Sequence, residues 1–226
     1  MIRAICFDFD GVLTTDRSGS LSTLRSLSRH SGIAEDRLWE AIGVFNDDLL
    51  LGRTHHAAIW PEFCARLGAT LPFALLERAF TETPMNTPML ALAAELKHGH
   101  AVGLITDNKA DRMAALSKLH DLPAIFDPIM VSAEVGSGKD GPAIFEHALA
   151  LLDVAPGECL FIDNTAANLQ APAALGMATL HFDDARNDVA SLRDAIGKLA
   201  GGPAHGGRLP GSIRSPGRRR PRSAGH

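Results

Sequence analysis

Apolar residues fall into two rhythms along this chain. Residues 3–7, 101–106, 128–132, 159–163 and 178–182 form short, nearly continuous apolar runs, the pattern of strands buried on both faces. Segments 89–98, 111–119, 142–152 and 166–175 repeat apolar residues at helical spacing and alternate with the last four runs. That alternation predicts right-handed strand–helix–strand crossovers, hence an α/β protein with a parallel sheet. The first interval departs from it. Between the first and second strands lie about 70 residues with helical pattern over 21–30, 36–51, 55–67 and 72–80 and no convincing strand. They are too many for one crossover, so the pattern predicts a helical domain over residues 16–84, inserted into a core made of 1–15 and 85–200. Its ends fall in polar, proline-containing segments near 15–18 and 83–87.

The first strand ends in Phe7-Asp8-Phe9-Asp10-Gly11. In an open parallel sheet that end faces the ligand crevice, and two acids placed there repel each other. A hard cation relieves the repulsion, since magnesium takes one or two carboxylates together with water and phosphate oxygens. A solvated Asp-Gly turn is the alternative for this motif taken alone.

Composition narrows the class. With 226 residues, 46% of them hydrophobic, the chain can bury a full core. No run approaches the roughly 18 apolar residues of a membrane span, and Asp8 and Asp10 interrupt the N-terminal run, so the expectation is a cytoplasmic protein without a membrane partner. Cys6, Cys64 and Cys159 lack metal-type spacing and read as buried thiols. The net charge of −4 conceals an asymmetry: residues 201–226 hold six arginines and no acid, leaving 16 basic and 26 acidic side chains in residues 1–200. An acidic core argues against a specific nucleic-acid surface, and the Gly-, Pro- and Ser-rich tail is expected to be disordered.

The later strands also end in polar groups. Thr106-Asp107-Asn108 places a hydroxyl at a helix start, Ser137-Gly138-Lys139 brings a lysine on a glycine-rich loop, and Asp163-Asn164 with Asn168 follows the fourth strand. Each has an ordinary reading as a cap or solvated loop residue, but in a doubly wound fold all of them converge on one edge.

In order, Asp-x-Asp-Gly-Val-Leu-Thr, Ile-Thr-Asp-Asn, Gly-x-Gly-Lys-x-x-Pro-Ala-Ile-Phe and Phe-Ile-Asp-Asn-x-x-x-Asn with Ala-Leu-Gly-Met resemble the motifs of the haloacid dehalogenase-like hydrolases over residues 1 to about 185. The resemblance implies a Rossmann-like core with an inserted α-helical cap. It implies Asp8 as nucleophile, Asp10 as general acid and base, and Thr106, Asp107, Asn108 and Lys139 as substrate contacts. Magnesium would be held by Asp8, Asp10 (through its backbone carbonyl) and Asp163. The expected activity is a magnesium-dependent phosphatase acting on a small phosphorylated metabolite, in a monomer or homodimer. An acid at position 10 disfavours the dehalogenases, and the absence of lysine from residues 17–84 disfavours the phosphonate-cleaving members. A phosphomutase and a non-catalytic metal- or phosphate-binding module are the alternatives. Asn164 stands where many relatives carry a second acid, and Lys139-Asp140-Gly141-Pro142 departs from their lysine loop. In the insertion, His55 and His56 point different ways on a helix and read as helix-start or packing residues. Trp39, Phe45, Phe63 and Phe80 read as its core, and substrate choice is expected to lie in this segment.

Overall fold

The computed structural model describes residues 1–201, so the basic tail lies outside the described residues from 202 onward. Five parallel strands, β1 (Ala4–Phe7), β2 (Ala101–Thr106), β3 (Ile129–Val131), β4 (Cys159–Asp163) and β5 (Ala178–His181), make one sheet in the order β3-β2-β1-β4-β5. The chain builds outward from β1 through β2 to β3, then returns to lay β4 on the other side of β1. That reversal makes the carboxyl ends of β1 and β4 the switch point at which open α/β sheets bind ligands. Register aligns Phe7 with Leu104 on one side and Ile162 on the other, bringing the residues that follow these three to one level.

Both faces of the sheet are covered, which is why its strands are apolar throughout. Phe7, Leu104, Leu160 and Ile162 pack with residues of α6 (Thr87–Leu96), α7 (Ala110–His120) and α11 (Val189–Ala200). Cys6, Ile105 and Phe161 pack with Ile144, Phe145 and Ala148 of α9 (Ala143–Leu152). The buried thiols of Cys6 and Cys159 lie 3.8 Å apart as free cysteines, while Cys64 is half-buried.

Five of the helices between β1 and β2 form the insertion that precedes α6: α1 (Gly19–Ser31), α2 (Glu35–Ile42), α3 (Asn46–Leu50), α4 (His56–Leu67) and α5 (Ala74–Thr81). They enclose a core of their own that includes Leu27, Leu38, Phe63, Leu76 and Phe80. The chain enters and leaves this insertion through paired connectors, with Thr14 opposite Met85 in an antiparallel bridge. Thr15 N–H donates to Pro84 O at 3.0 Å and Asn86 N–H to Leu13 O at 2.8 Å.

Several local expectations are revised. The single helix expected over 36–51 is broken by a tight turn at Gly43–Phe45, where a glycine and a β-branched valine weaken helical propensity. The helix expected over 166–175 divides into a tight turn at Ala166–Leu169 and α10 (Gln170–Leu175), because Pro172 has no N–H for an uninterrupted ladder. Helix α11 was not anticipated. Leu192 and Ile196 form its buried stripe, and Asp188 caps it by accepting from Ser191 N–H at 3.0 Å. Of the aromatic residues assigned to the insertion's core, Phe63 and Phe80 are buried there, but Trp39 is 47% exposed. Trp60, not Trp39, fills that core, its indole donating to Leu71 O at 2.8 Å. Among the described residues, no helix is long and apolar enough to cross a membrane.

His56 fastens the insertion to the sheet layer. Buried at the start of α4, it donates its backbone N–H to Asp111 Oδ2 at 3.2 Å, and its Nδ1 lies 2.8 Å from the same carboxylate on α7. Burial alone would raise Asp111, but the His56 bonds outweigh it and hold the carboxyl below 3.8. A depressed carboxyl stabilises the fold above its unfolded value and loses that contribution as pH falls through the folded one. Asp111→Asn should therefore reduce unfolding free energy by about 1–3 kcal/mol at neutral pH. In urea titrations from pH 7 to pH 2.5, the gap from wild type should stay constant above about pH 4 and close below it.

Candidate active site

β1 runs directly into Asp8, whose N–H donates to Ile162 O at 2.8 Å, so the carboxylate stands between the ends of β1 and β4. A wide turn over Phe9–Leu13 follows. Asp10 is extended there (φ −76°, ψ 125°) and Gly11 is left-handed (φ +82°), with Thr14 N–H closing the turn onto Phe9 O at 3.0 Å. Glycine is required twice over at position 11, because a Cβ would also lie 2.2 Å from Asn164 Nδ2.

Lys139 reaches this edge from the loop after β3. Its buried ammonium bridges Asp8 Oδ1 at 2.7 Å and Asp163 Oδ2 at 2.6 Å. Asp163, fully buried at the end of β4, also accepts from Thr165 N–H at 2.7 Å and Asn168 Nδ2 at 3.1 Å. Asp107 accepts from the Lys139 backbone N–H at 2.9 Å and so pins the loop that departs from the common family pattern.

The electrostatics follow from burial. Loss of solvent pushes the Asp8 carboxyl up to about 7, with Lys139 opposing that shift and Asp163 and Asp10 adding to it. Burial disfavours the Lys139 ammonium as well, yet Asp8, Asp163 and Asp107 together raise its pKa and keep it charged. Burial also raises Asp107.

Asp10 belongs to a second cluster. Its carboxylate is not turned toward Lys139: Oδ1 and Oδ2 each accept from Arg112, at 2.9 Å, in a bidentate pair, and Oδ2 also accepts from Asn108 Nδ2 at 2.8 Å. The Asn108 side-chain oxygen accepts from Arg112 in turn, at 3.0 Å. Thr106 is buried beside this cluster, with Asn108 Nδ2 3.4 Å from its hydroxyl. Gly19, at the start of α1, leaves room for the pair, since a Cβ there would come within 2.3 Å of Arg112. Arg112 was not foreseen, though a signal existed: it falls on the buried stripe of α7 with Met113 and Leu116, where an arginine needs a partner.

One cavity of about 600 Å³ unites Asp8, Asp10, Thr106, Asp107, Asn108, Lys139, Asn164 and Asn168 with residues of α1, α2 and α3. Asp163 lies beneath it, reached through Lys139.

The cavity floor suits a hard cation. Asp8, Asp107 and Asp163 surround a single ammonium, so negative groups outnumber positive ones there. Asn164 Nδ2 is a buried donor with no protein acceptor, so its partner has to come from a ligand or water. Among the described residues, no group of three or more His, Cys, Asp or Glu side chains is arranged to hold a metal ion. Two carboxylates with room for water and phosphate oxygens suit magnesium, and Asp8 and Asp163, with the Asp10 backbone carbonyl, would hold it.

A parallel sheet whose carboxyl edge carries an Asp–Lys–Asp bridge beneath a helical insertion defines an α/β enzyme core. More particularly, the chain belongs to the haloacid dehalogenase-like hydrolases, whose family model matches residues 2–176. It is 29% identical over 203 residues to a sesquiterpene phosphatase of Aspergillus oryzae, spanning 86% of this chain and 97% of that one. It is also 27% identical to the bifunctional epoxide hydrolase 2 of Rattus norvegicus over 87% of this chain, but that alignment covers only 39% of the longer protein. Among solved structures, a family enzyme from Bacteroides thetaiotaomicron, in complex with magnesium and inorganic phosphate, superposes with a TM-score of 0.65 at 19% identity, covering 80% of this chain and 94% of that one. At that identity the match shows the shared fold.

The Asp10–Arg112 pair is open to a direct test. Arg112→Gln leaves the Asp10 carboxylate without its main partner and should lower stability by about 3 kcal/mol or more. Adding Asp10→Asn should recover part of that loss, and a double-mutant cycle in urea measures the coupling.

Proposed function

We propose that this hydrolase is a magnesium-dependent phosphatase acting on a small phosphorylated metabolite through an aspartyl-phosphate intermediate. The observation that carries the reading is the Asp8 carboxylate bridged to Asp163 by the Lys139 ammonium on the cavity floor. The named activity of the Aspergillus relative and the magnesium and phosphate bound by the Bacteroides enzyme support it.

In this reading an Asp8 oxygen attacks phosphorus, and the bond from phosphorus to the ester oxygen breaks. Asp10 delivers a proton to the departing alcohol. Water then attacks the phosphorus of the aspartyl phosphate, Asp10 takes a proton from that water, and phosphate leaves with the Asp8 carboxylate restored. Asp10 has to exchange Arg112 for the ester oxygen in order to act. Lys139 and Thr106 bind phosphoryl oxygens, with the Asn164 amide as a further donor, while Asp107 and Asn108 hold the lysine and the acid in place. Bound magnesium supplies charge neutralisation on the phosphoryl group. The helices of residues 16–84 serve as a cap that excludes water from the site.

Asp8→Asn should lower magnesium-dependent release of inorganic phosphate from p-nitrophenyl phosphate by roughly 10³-fold or more with the fold intact by circular dichroism. Substantial turnover in that variant defeats the mechanism. Asp10→Asn should slow turnover by about 10²- to 10⁴-fold, and a pre-steady-state burst would show which half-reaction becomes limiting.

A further inference from the structure

The cavity carries a second kind of chemistry above its polar floor. Trp39 on α2 and Leu21 on α1 are large apolar side chains left 47% and 46% exposed, and both open into the same 600 Å³ space, joined there by Leu24 and Leu50. Isolated exposed apolar residues are ordinary on protein surfaces, but these converge from different helices on one cavity. Among the described residues the indole of Trp39 has no hydrogen-bond partner, and it lies along Gly43, where a Cβ would meet its ring at 3.5 Å.

A second, narrow void of about 30 Å³ borders Leu24, Trp39, Ile42, Leu49 and Phe80, with Thr23, His56, Lys109 and Arg112 also in its lining. Trp39 and Leu24 line both spaces.

The charges distribute to match. Lys139 lies at the floor, and Arg17 is drawn aside to Asp184 at 3.2 Å. Lys109 donates to Ser20 at 3.0 Å, and burial, with Arg112 nearby, lowers its pKa to about 8. Beside Trp39 the lining residues are Glu35 and Asp36, which repel a second anionic group at that end of the cavity.

Resting on the phosphatase reading, we infer that the substrate is a phosphate monoester of an apolar alcohol, its phosphate at Asp8 and Lys139 and its hydrocarbon chain against Leu21, Leu24, Leu50 and Trp39. Trp39 is the specificity-determining residue. A chain of many carbons displaces water from this apolar wall, a gain that sugar or nucleoside hydroxyls do not provide.

The test uses the full chain with magnesium and measures phosphate release from n-butyl, n-octyl and n-dodecyl phosphate below their aggregation limits, a hexose phosphate, a nucleoside monophosphate, and p-nitrophenyl phosphate as a general probe. kcat/KM should rise by roughly 100-fold from butyl to dodecyl, the scale on which a few methylenes discriminate in an apolar pocket. Trp39→Ala should flatten that rise by about 10-fold, with the larger loss on the longer chain, and Leu21→Ser should act in the same direction. A flat chain-length series, or a preference for the hexose or nucleoside ester, overturns the inference while turnover of p-nitrophenyl phosphate, lost in Asp8→Asn, leaves the phosphatase reading standing. Failure to hydrolyse any ester overturns both.

Discussion

The structure turns on an ammonium ion held between two buried carboxylates. Asp8 and Asp163 end adjacent parallel strands, and at the separation imposed by the sheet their like charges would repel in a site almost closed to water. Lys139 answers that repulsion from the opposite side of the sheet edge. To reach it, the loop after β3 has to descend onto the strand ends, and Asp107 holds it there by accepting the lysine's own N–H. The turn after β1 has to pass close to Asn164, which only a glycine at position 11 allows. Backbone and charge are therefore solved together at this edge. The balance is incomplete, since three acids face one ammonium, and the remaining negative charge suits the floor to a hard cation.

Much of this was legible in the sequence, for a physical reason. Strands buried on both faces leave continuous apolar runs, so the order of strands and crossovers and the anomalous interval after β1 could be read directly, and the acids at the strand ends stood out against them. What escaped depends on distance through space. Arg112 sits in an ordinary amphipathic helix, and only the packing of α7 against the turn after β1 reveals that it grips Asp10. Trp39 reads as core by residue type, yet on α2 it lies beside the buried stripe of Leu38, Ala41 and Ile42 and lines the cavity instead. The departures around Lys139 and at Asn164 have plain structural counterparts. The lysine arrives regardless, and the asparagine contributes an unsatisfied donor.

The segment from Asn108 to Arg112 joins chemistry to enclosure. Within five residues it touches Asp10 twice, through Asn108 and Arg112, and the insertion twice, through Lys109 to Ser20 and Asp111 to His56. Displacement of the helices above the site therefore acts on the same short stretch of chain that orients Asp10. Communication between the two layers requires no long pathway, because one helix start belongs to both.

The paired connectors at Thr14 and Met85 have a mechanical meaning. Two independent tethers would let the inserted helices tilt, slide and twist over the sheet. Hydrogen bonds at Leu13–Asn86 and Thr15–Pro84 make the connectors a single two-stranded ribbon, with Asn86 further anchored by its amide to Val12 O and Asn187. A ribbon bends across its width and resists shear along its length. The inserted helices are thus restrained against sliding over the sheet, and the side chains they contribute to the cavity stay in register with the strand ends.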